Sequence, residues 1–279
     1  MSVYHLKNST LKIFKHTFLI LVAALCLFPL LWLISSSLKS RTGVMTDLSL
    51  VPSEFHWENY IQAWNRGELG IYLFNSFFYT AIAVFGVLFI ASLAAYGFAR
   101  LQFPGKEIIY YTLLLSMFVP IPASFIPIFV LLMKMHLLNT RLGYLLPLIN
   151  GGLPVAIFIF RGFFESIPTD LEDAARIDGS GKWGIYWRIV LPLSKPVIAA
   201  VAIFNCLGAW KEFLLALVVF SDKHLMPVQR GLVEFQGQYS ITYNLMFAGI
   251  VITIVPVLLF YALMQKNIVK GLTEGAIKA

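Results

Sequence analysis

The residues whose types and spacing invite chemistry lie between Leu171 and Leu193, LEDAARIDGSGKWGIYWRIVLPL. Within it Gly179-Ser180-Gly181-Lys182 invites comparison with a phosphate-binding loop. That loop, G-x-x-x-x-G-K-[ST], needs Gly where Arg176 stands and Ser or Thr where Trp183 stands. The segment is therefore not expected to bind or hydrolyse ATP. The sequence holds no H-E-x-x-H zinc pair and no G-x-S-x-G nucleophile elbow. His5, His16, His56, His136 and His224 are scattered, and Cys26 and Cys206 both fall in apolar stretches, so neither a metal set nor a disulfide frame is expected. The chain carries no catalytic set and is not expected to be an enzyme.

What the segment does have is the outline of two short helices. Thr169, Asp170, Leu171 and Glu172 match a T-x-x-E capping box, with Pro168 upstream to set the chain direction. Ala174, Ala175 and Ile177 carry the helix on, and Gly179 falls where a left-handed residue would close it. A second helix is predicted from Lys182 to Val190, stopped by Leu191-Pro192. Small Ala side chains and the apolar Ile177 suit a helix seated in a partner's groove. A helix lying flat on a membrane is the plainer alternative.

The elements that must position this segment are apolar. Hydrophobic residues make up 59% of the chain and charged ones 13%, with mean hydropathy +0.79. A soluble domain carries about 25% charged residues, so the chain reads as an all-α polytopic membrane protein. Six stretches approach the ~20 apolar residues of a span: about 16–37, 72–99, 108–133, 142–163, 196–220 and 243–265. The first is too long for a signal-peptide core and reads as a retained span. Prolines 120, 122 and 127, and Gly151, Gly152 and Pro154, predict broken or kinked helices, which membranes tolerate where neighbours or a wet cavity satisfy the freed backbone. All six spans and the polar segment, 168–192, are expected to form one domain, 1–279.

The net charge is +7. With the N-terminus inside, 13 of the 21 Lys and Arg fall on the cytosolic side and 8 on the outer side, in the direction of the positive-inside bias. Both termini and the polar segment are then cytosolic, in a multi-pass protein of the cytoplasmic membrane. No basic run is interleaved with aromatics, so no nucleic-acid partner is expected.

Polar residues inside spans are candidates for a transport path. These are Asn75, Asn150, Asn205, Trp210, Lys211 and Glu212, although Asn side chains also tie helices together. Lys211 lies about 22 Å along its span from Pro196, in the outer half. Lys211 and Glu212 point about 100° apart and are not a natural pair. A fixed charge here would suit an acidic or strongly hydroxylated solute. A proton- or sodium-coupled carrier is the rival class, but it should place carboxylates near the midplane, and Glu212 alone is off-centre.

Glu172, Ala174, Ala175, Asp178, Gly179, Tyr186 and Pro192 resemble the EAA-type motif of ABC importer permeases, with Ser180 where Ala is usual and Tyr186 where Phe is usual. AAYGFARLQFPGK (94–106), AWKEFLLAL (209–217) and the tail GLTEGAIKA (271–279) are similar to carbohydrate-uptake permeases of the maltose type, in particular the shorter, six-span partner of the pair. Those permeases usually have Asn where Lys211 stands. The resemblance implies that the seven motif residues form the coupling helix held in a cleft of an ATPase subunit. It implies a homologous sister permease in a heterodimer, an ATPase dimer that binds ATP and Mg, an extracytoplasmic solute-binding protein, and a sugar as cargo. No cofactor is implied for this chain itself. Glycerol phosphate or another polyol is the alternative cargo.

Overall fold

The computed structural model describes residues 2–119, 121–235 and 242–276, with side chains at 12, 14–119, 124–235 and 242–264. Pro120, the side chain of Pro122 and the end of the 271–279 tail lie outside the described residues. Among those described, every regular element is helical: α1 (Ser2–Ser37), α2 (Gly43–Thr46), α3 (Glu58–Arg66), α4 (Leu69–Arg100), α5 (Lys106–Leu115), α6 (Ile121–Lys134), α7 (Arg141–Ser166), α8 (Thr169–Ile177), α9 (Lys182–Ile185), α10 (Leu191–Leu193), α11 (Lys195–Lys211), α12 (Leu214–Val219), α13 (Val228–Gly231) and α14 (Tyr243–Ala276). A π-helical stretch, Tyr186–Val190, joins α9 to α10.

Four helical stretches are long and apolar enough to cross a membrane unbroken: Phe14–Ser37, Leu69–Arg100, Arg141–Ser166 and Tyr243–Met264. They coincide with the first, second, fourth and sixth expected spans. The other two are interrupted. In the third, α5 ends in a 3₁₀ turn at Ser116–Phe118 and helix resumes at Ile121. In the fifth, α11 stops at Lys211, Glu212 is extended (φ −66°, ψ 115°), and α12 follows from Leu214. The break is stabilised locally, because Glu212 Oε1 accepts from the Leu215 amide at 2.8 Å.

The chain packs as two compact units, Met1–Leu69 with Leu232–Val255 and Gly70–Gly231 with Pro256–Ala279. The first is organised by buried polar groups. Lys39, 2% exposed, donates to the carbonyls of Asp47 and Ser49 at 2.5 and 2.7 Å. The Asn59 amide donates to the carbonyls of Ser37 and Lys39 at 2.9 Å each, and its oxygen accepts from Asn244 at 2.9 Å. These bonds give the irregular 38–57 loop the backbone partners it lacks from secondary structure.

The second unit holds the polar segment. Its core runs from α4 (Val87, Ala91, Ala95) through α7 (Phe160, Phe164) to α11 (Val201), and it takes in Ile185, Tyr186 and Val190 of the segment itself. Small residues set these approaches. A Cβ on Gly152 of α7 would stand 2.1 Å from Asn205 Oδ1 of α11 and 2.9 Å from Val87 of α4.

Candidate functional site

The segment between α7 and α11 is closed locally as its residue types require. The α8 helix ends at Ile177, and Gly179 takes φ +81°, a left-handed value costly for residues with a Cβ. The Gly179 amide donates to Arg176 O at 3.0 Å and the Ser180 amide to Ala175 O at 2.8 Å, the paired bonds of a Schellman motif.

Its entry differs from expectation. Pro168 stands at the N-cap position and no side chain caps the helix. The Glu172 carboxylate, which the capping box would have turned back to the Thr169 amide, pairs instead with Arg100 at 2.6 Å. A full charge attracts it more than a backbone N–H does.

The exit differs as well. Pro192 does not end the helix. It sits in the first turn of α10, where its missing N–H leaves little unsatisfied. The break comes at Ser194, fully buried, whose hydroxyl donates to Val190 O at 2.6 Å. There the chain turns by 75° between Lys182–Leu193 and Lys195–Lys211.

Helical geometry then divides the motif between two faces. Positions three and four apart share a side. Glu172 is buried and Ala175 packs against the core. Leu171, Ala174, Ile177 and Asp178 are exposed on the other side, Ile177 at 88%. Gly179 is exposed and Pro192 is exposed. Tyr186 is buried, its hydroxyl 2.8 Å from Ser92 and its ring 5.2 Å from Tyr96. The Tyr96 hydroxyl donates to Lys182 O at 3.3 Å. Glu172 and Tyr186, 14 residues apart, thus both rest on the C-terminal half of α4.

Arg100, the last residue of α4, completes the arrangement. Ion-paired to Glu172, it also donates from Nη2 to Ile167 O, at the end of α7, at 2.6 Å. Arg176, half exposed, lies 3.6 Å from Glu172 and donates to Asp173 at 2.6 Å. Breaking a buried ion pair by removing one member costs about 3–5 kcal/mol. Nearby, Arg161 of α7 holds both oxygens of Glu107 of α5 at 2.9 and 3.0 Å and stacks over Tyr110 at 4.0 Å. The Arg161 hydrogen bonds hold the Glu107 carboxyl below its ordinary value. In the sequence Arg100 counted as a topology charge and as one residue of the 94–106 segment that resembles sugar permeases. The signal that it does more was Glu172, a carboxylate at a position that packs inward and so needs a cation.

The path candidates do not gather into one site. The Asn75 amide, buried, donates to the carbonyls of His224 and Met226 at 2.8 and 3.1 Å. Asn205 donates to Val201 O at 2.9 Å, and its oxygen faces Gly152. Asn150 is exposed on α7. Trp210 is buried, edge-on to Phe77 at 5.0 Å. Lys211 is exposed, and Glu212 is half-buried and caps α12.

The described residues thus form a helical membrane protein that holds a polar, two-faced helical segment against its spans. This chain belongs to the family of binding-protein-dependent transport system inner membrane components, whose model matches residues 86–273, the whole polar segment included. It is similar to the diacetylchitobiose uptake system permease protein of Streptomyces coelicolor, 36% identical over 266 residues, covering 95% of this chain and 88% of that one. It is 33% identical over 274 residues to the arabinooligosaccharides transport system permease protein of Bacillus subtilis, with 97% of each covered. Its fold matches a chain of a bacterial ABC transporter involved in the import of the acidic polysaccharide alginate, with TM-score 0.82 and 22% identity over 93% of this chain and 97% of that one. The resemblance carried by the motif residues thus extends over nearly the whole chain.

Proposed function

We propose that this chain is one membrane-spanning subunit of an ATP-driven importer of a sugar or oligosaccharide. The relatives named for the uptake of diacetylchitobiose and arabino-oligosaccharides support the cargo class. The observation that carries the mechanism is the division of α8: one face is locked to the spans and the other, with Ala174, Ile177, Asp178 and Gly179, is left open.

The open face docks in a cleft of an ATPase subunit on the cytosolic side, where both termini lie. Two such ATPases bind ATP and Mg; this chain binds neither. A homologous sister permease supplies the other half of the pore, and a solute-binding protein delivers cargo at the outer face of the cytoplasmic membrane. Closure of the ATPases pushes α8, and the contacts of Glu172 and Tyr186 pass that displacement to α4. A shift of a packed element suffices, because tightly packed cores move between discrete arrangements.

The test is a pull-down of the chain from native membranes, with and without Gly179→Asp, combined with uptake of radiolabelled diacetylchitobiose and arabino-oligosaccharides. A new carboxylate at the C-terminal end of α8, next to Asp178, opposes the helix dipole and projects from the docking face. Wild-type chain should bring down a nucleotide-binding ATPase and a second multispan protein, and the variant should lose the ATPase and uptake. A chain recovered alone or as a homodimer would overturn the reading in favour of a secondary carrier. The exposed Lys211 favours a second cargo reading, an anionic polyol such as glycerol phosphate.

A further inference from the structure

We infer that Arg100 is the positioning residue that fastens the coupling segment to the span it drives, and that Glu172 serves as its internal counter-ion and not as a contact with the ATPase. The inference rests on the reading of this segment as the coupling site.

Three observations carry it. Glu172 is 1% exposed, so a partner seated on α8 meets Ala174, Ile177 and Asp178 before it meets this carboxylate. The Arg100 side chain is also mostly buried, 10% exposed, and its Nε stands 2.6 Å from Glu172 Oε1. The same guanidinium donates from Nη2 to Ile167 O at 2.6 Å. One side chain therefore joins the last turn of α4, the end of α7 and the first turn of α8.

A lysine reproduces this only in part, because its compact ammonium lacks the planar fork that spaces donors toward a carboxylate and a carbonyl on different helices. The hydroxyl contact between Tyr186 and Ser92, two turns further back on α4, is a second fastening point on the same helix. With both in place α8 and α4 move together. Without Arg100 the polar contacts to α4 are those of Tyr186 with Ser92 and of Lys182 O with Tyr96, both beyond α8, and α8 can yield to the ATPase without carrying the span.

The experiment uses the whole complex in liposomes and reads two quantities: ATPase retained on the permease, and oligosaccharide imported per ATP hydrolysed. The probe is whichever radiolabelled oligosaccharide the wild-type complex carries. Arg100→Ala is expected to keep the ATPase bound and to lower solute moved per ATP about tenfold, a change of the size that mutations along a coupling path produce. Arg100→Lys should fall between it and wild type. The exchange variant, Arg100→Glu with Glu172→Arg, should exceed either single substitution, since the pair is restored with reversed sign. If Arg100→Ala does not accumulate in membranes, the Lys and exchange variants, which each keep a cation, decide the matter.

Wild-type stoichiometry in Arg100→Ala would overturn the inference. So would loss of the ATPase in Glu172→Gln while Arg100→Ala retains it, because Glu172 would then be the docking contact. A wild-type complex that holds no ATPase would bring down the functional reading itself, and this inference with it.

Discussion

Tyr186 shows what one hydroxyl contributes in this site. Its ring is buried against Tyr96, and its oxygen lies 2.8 Å from that of Ser92, which also donates to Phe89 O at 3.2 Å. The motif usually has Phe here, so Ser92 is this chain's complement to the added hydroxyl. Tyr186→Phe keeps the ring and leaves Ser92 its backbone partner. The expected loss is about 1 kcal/mol, the net value of an ordinary hydrogen bond. Tyr186→Ala would empty a buried aromatic site at about 3–5 kcal/mol. Thermal unfolding in detergent checks both. In a double-mutant cycle Ser92→Ala should add almost nothing once Tyr186 is Phe, and full additivity would show that the two hydroxyls do not interact. The exposed part of the motif near α8 was legible from residue types alone: Ala174, Asp178 and Gly179 are local in sequence and lie in the last turn of α8 and the turn that closes it. The buried half was not, because the partners of Glu172 and Tyr186 stand 72 and 94 residues upstream, at Arg100 and Ser92.

Helix boundaries divide in the same way. Gly179 closes α8 where a left-handed residue was expected, since a Schellman turn depends only on a few adjacent residues. The capping box did not form, and Pro192 did not stop the chain. In each case a tertiary partner or an irregular turn supplied a better arrangement than the local one. The close passage of α7 between α4 and α11 is a consequence of Gly152. A methyl group there would stand 2.1 Å from Asn205 Oδ1, and Asn205 cannot turn aside without giving up its bond to Val201 O. Gly152→Ala is therefore expected to destabilise the protein by about 1–3 kcal/mol, the usual cost of overpacking. Adding Asn205→Ala should recover part of that loss in thermal unfolding. A double variant less stable than Gly152→Ala would mean that the Val87 contact dominates.

At the scale of the molecule the question is what the pore selects. Lys211 ends α11 at an interrupted span, exposed, while the neighbouring Glu212 is committed to the Leu215 amide. Broken spans at binding sites present backbone and charge to cargo. Lys211→Asn, which restores the residue usual in the resembling permeases, is expected to lower import of acidic oligosaccharides relative to neutral ones. Competition uptake with the two classes measures the ratio, and an unchanged ratio and rate would remove Lys211 from the path. Residue order alone was enough for the all-helical membrane character, the placement of the apolar stretches, the interruption of the proline-bearing third and the place of the polar segment. Each of these follows from composition, length and local spacing, which survive whatever the chain packs against. Packing settled that the fifth span breaks after Lys211, that Asn75 is tied to the carbonyls of His224 and Met226, and that Glu172 turns inward to Arg100. A buried polar group takes the partner that packing brings to it, and that partner can come from anywhere in the chain.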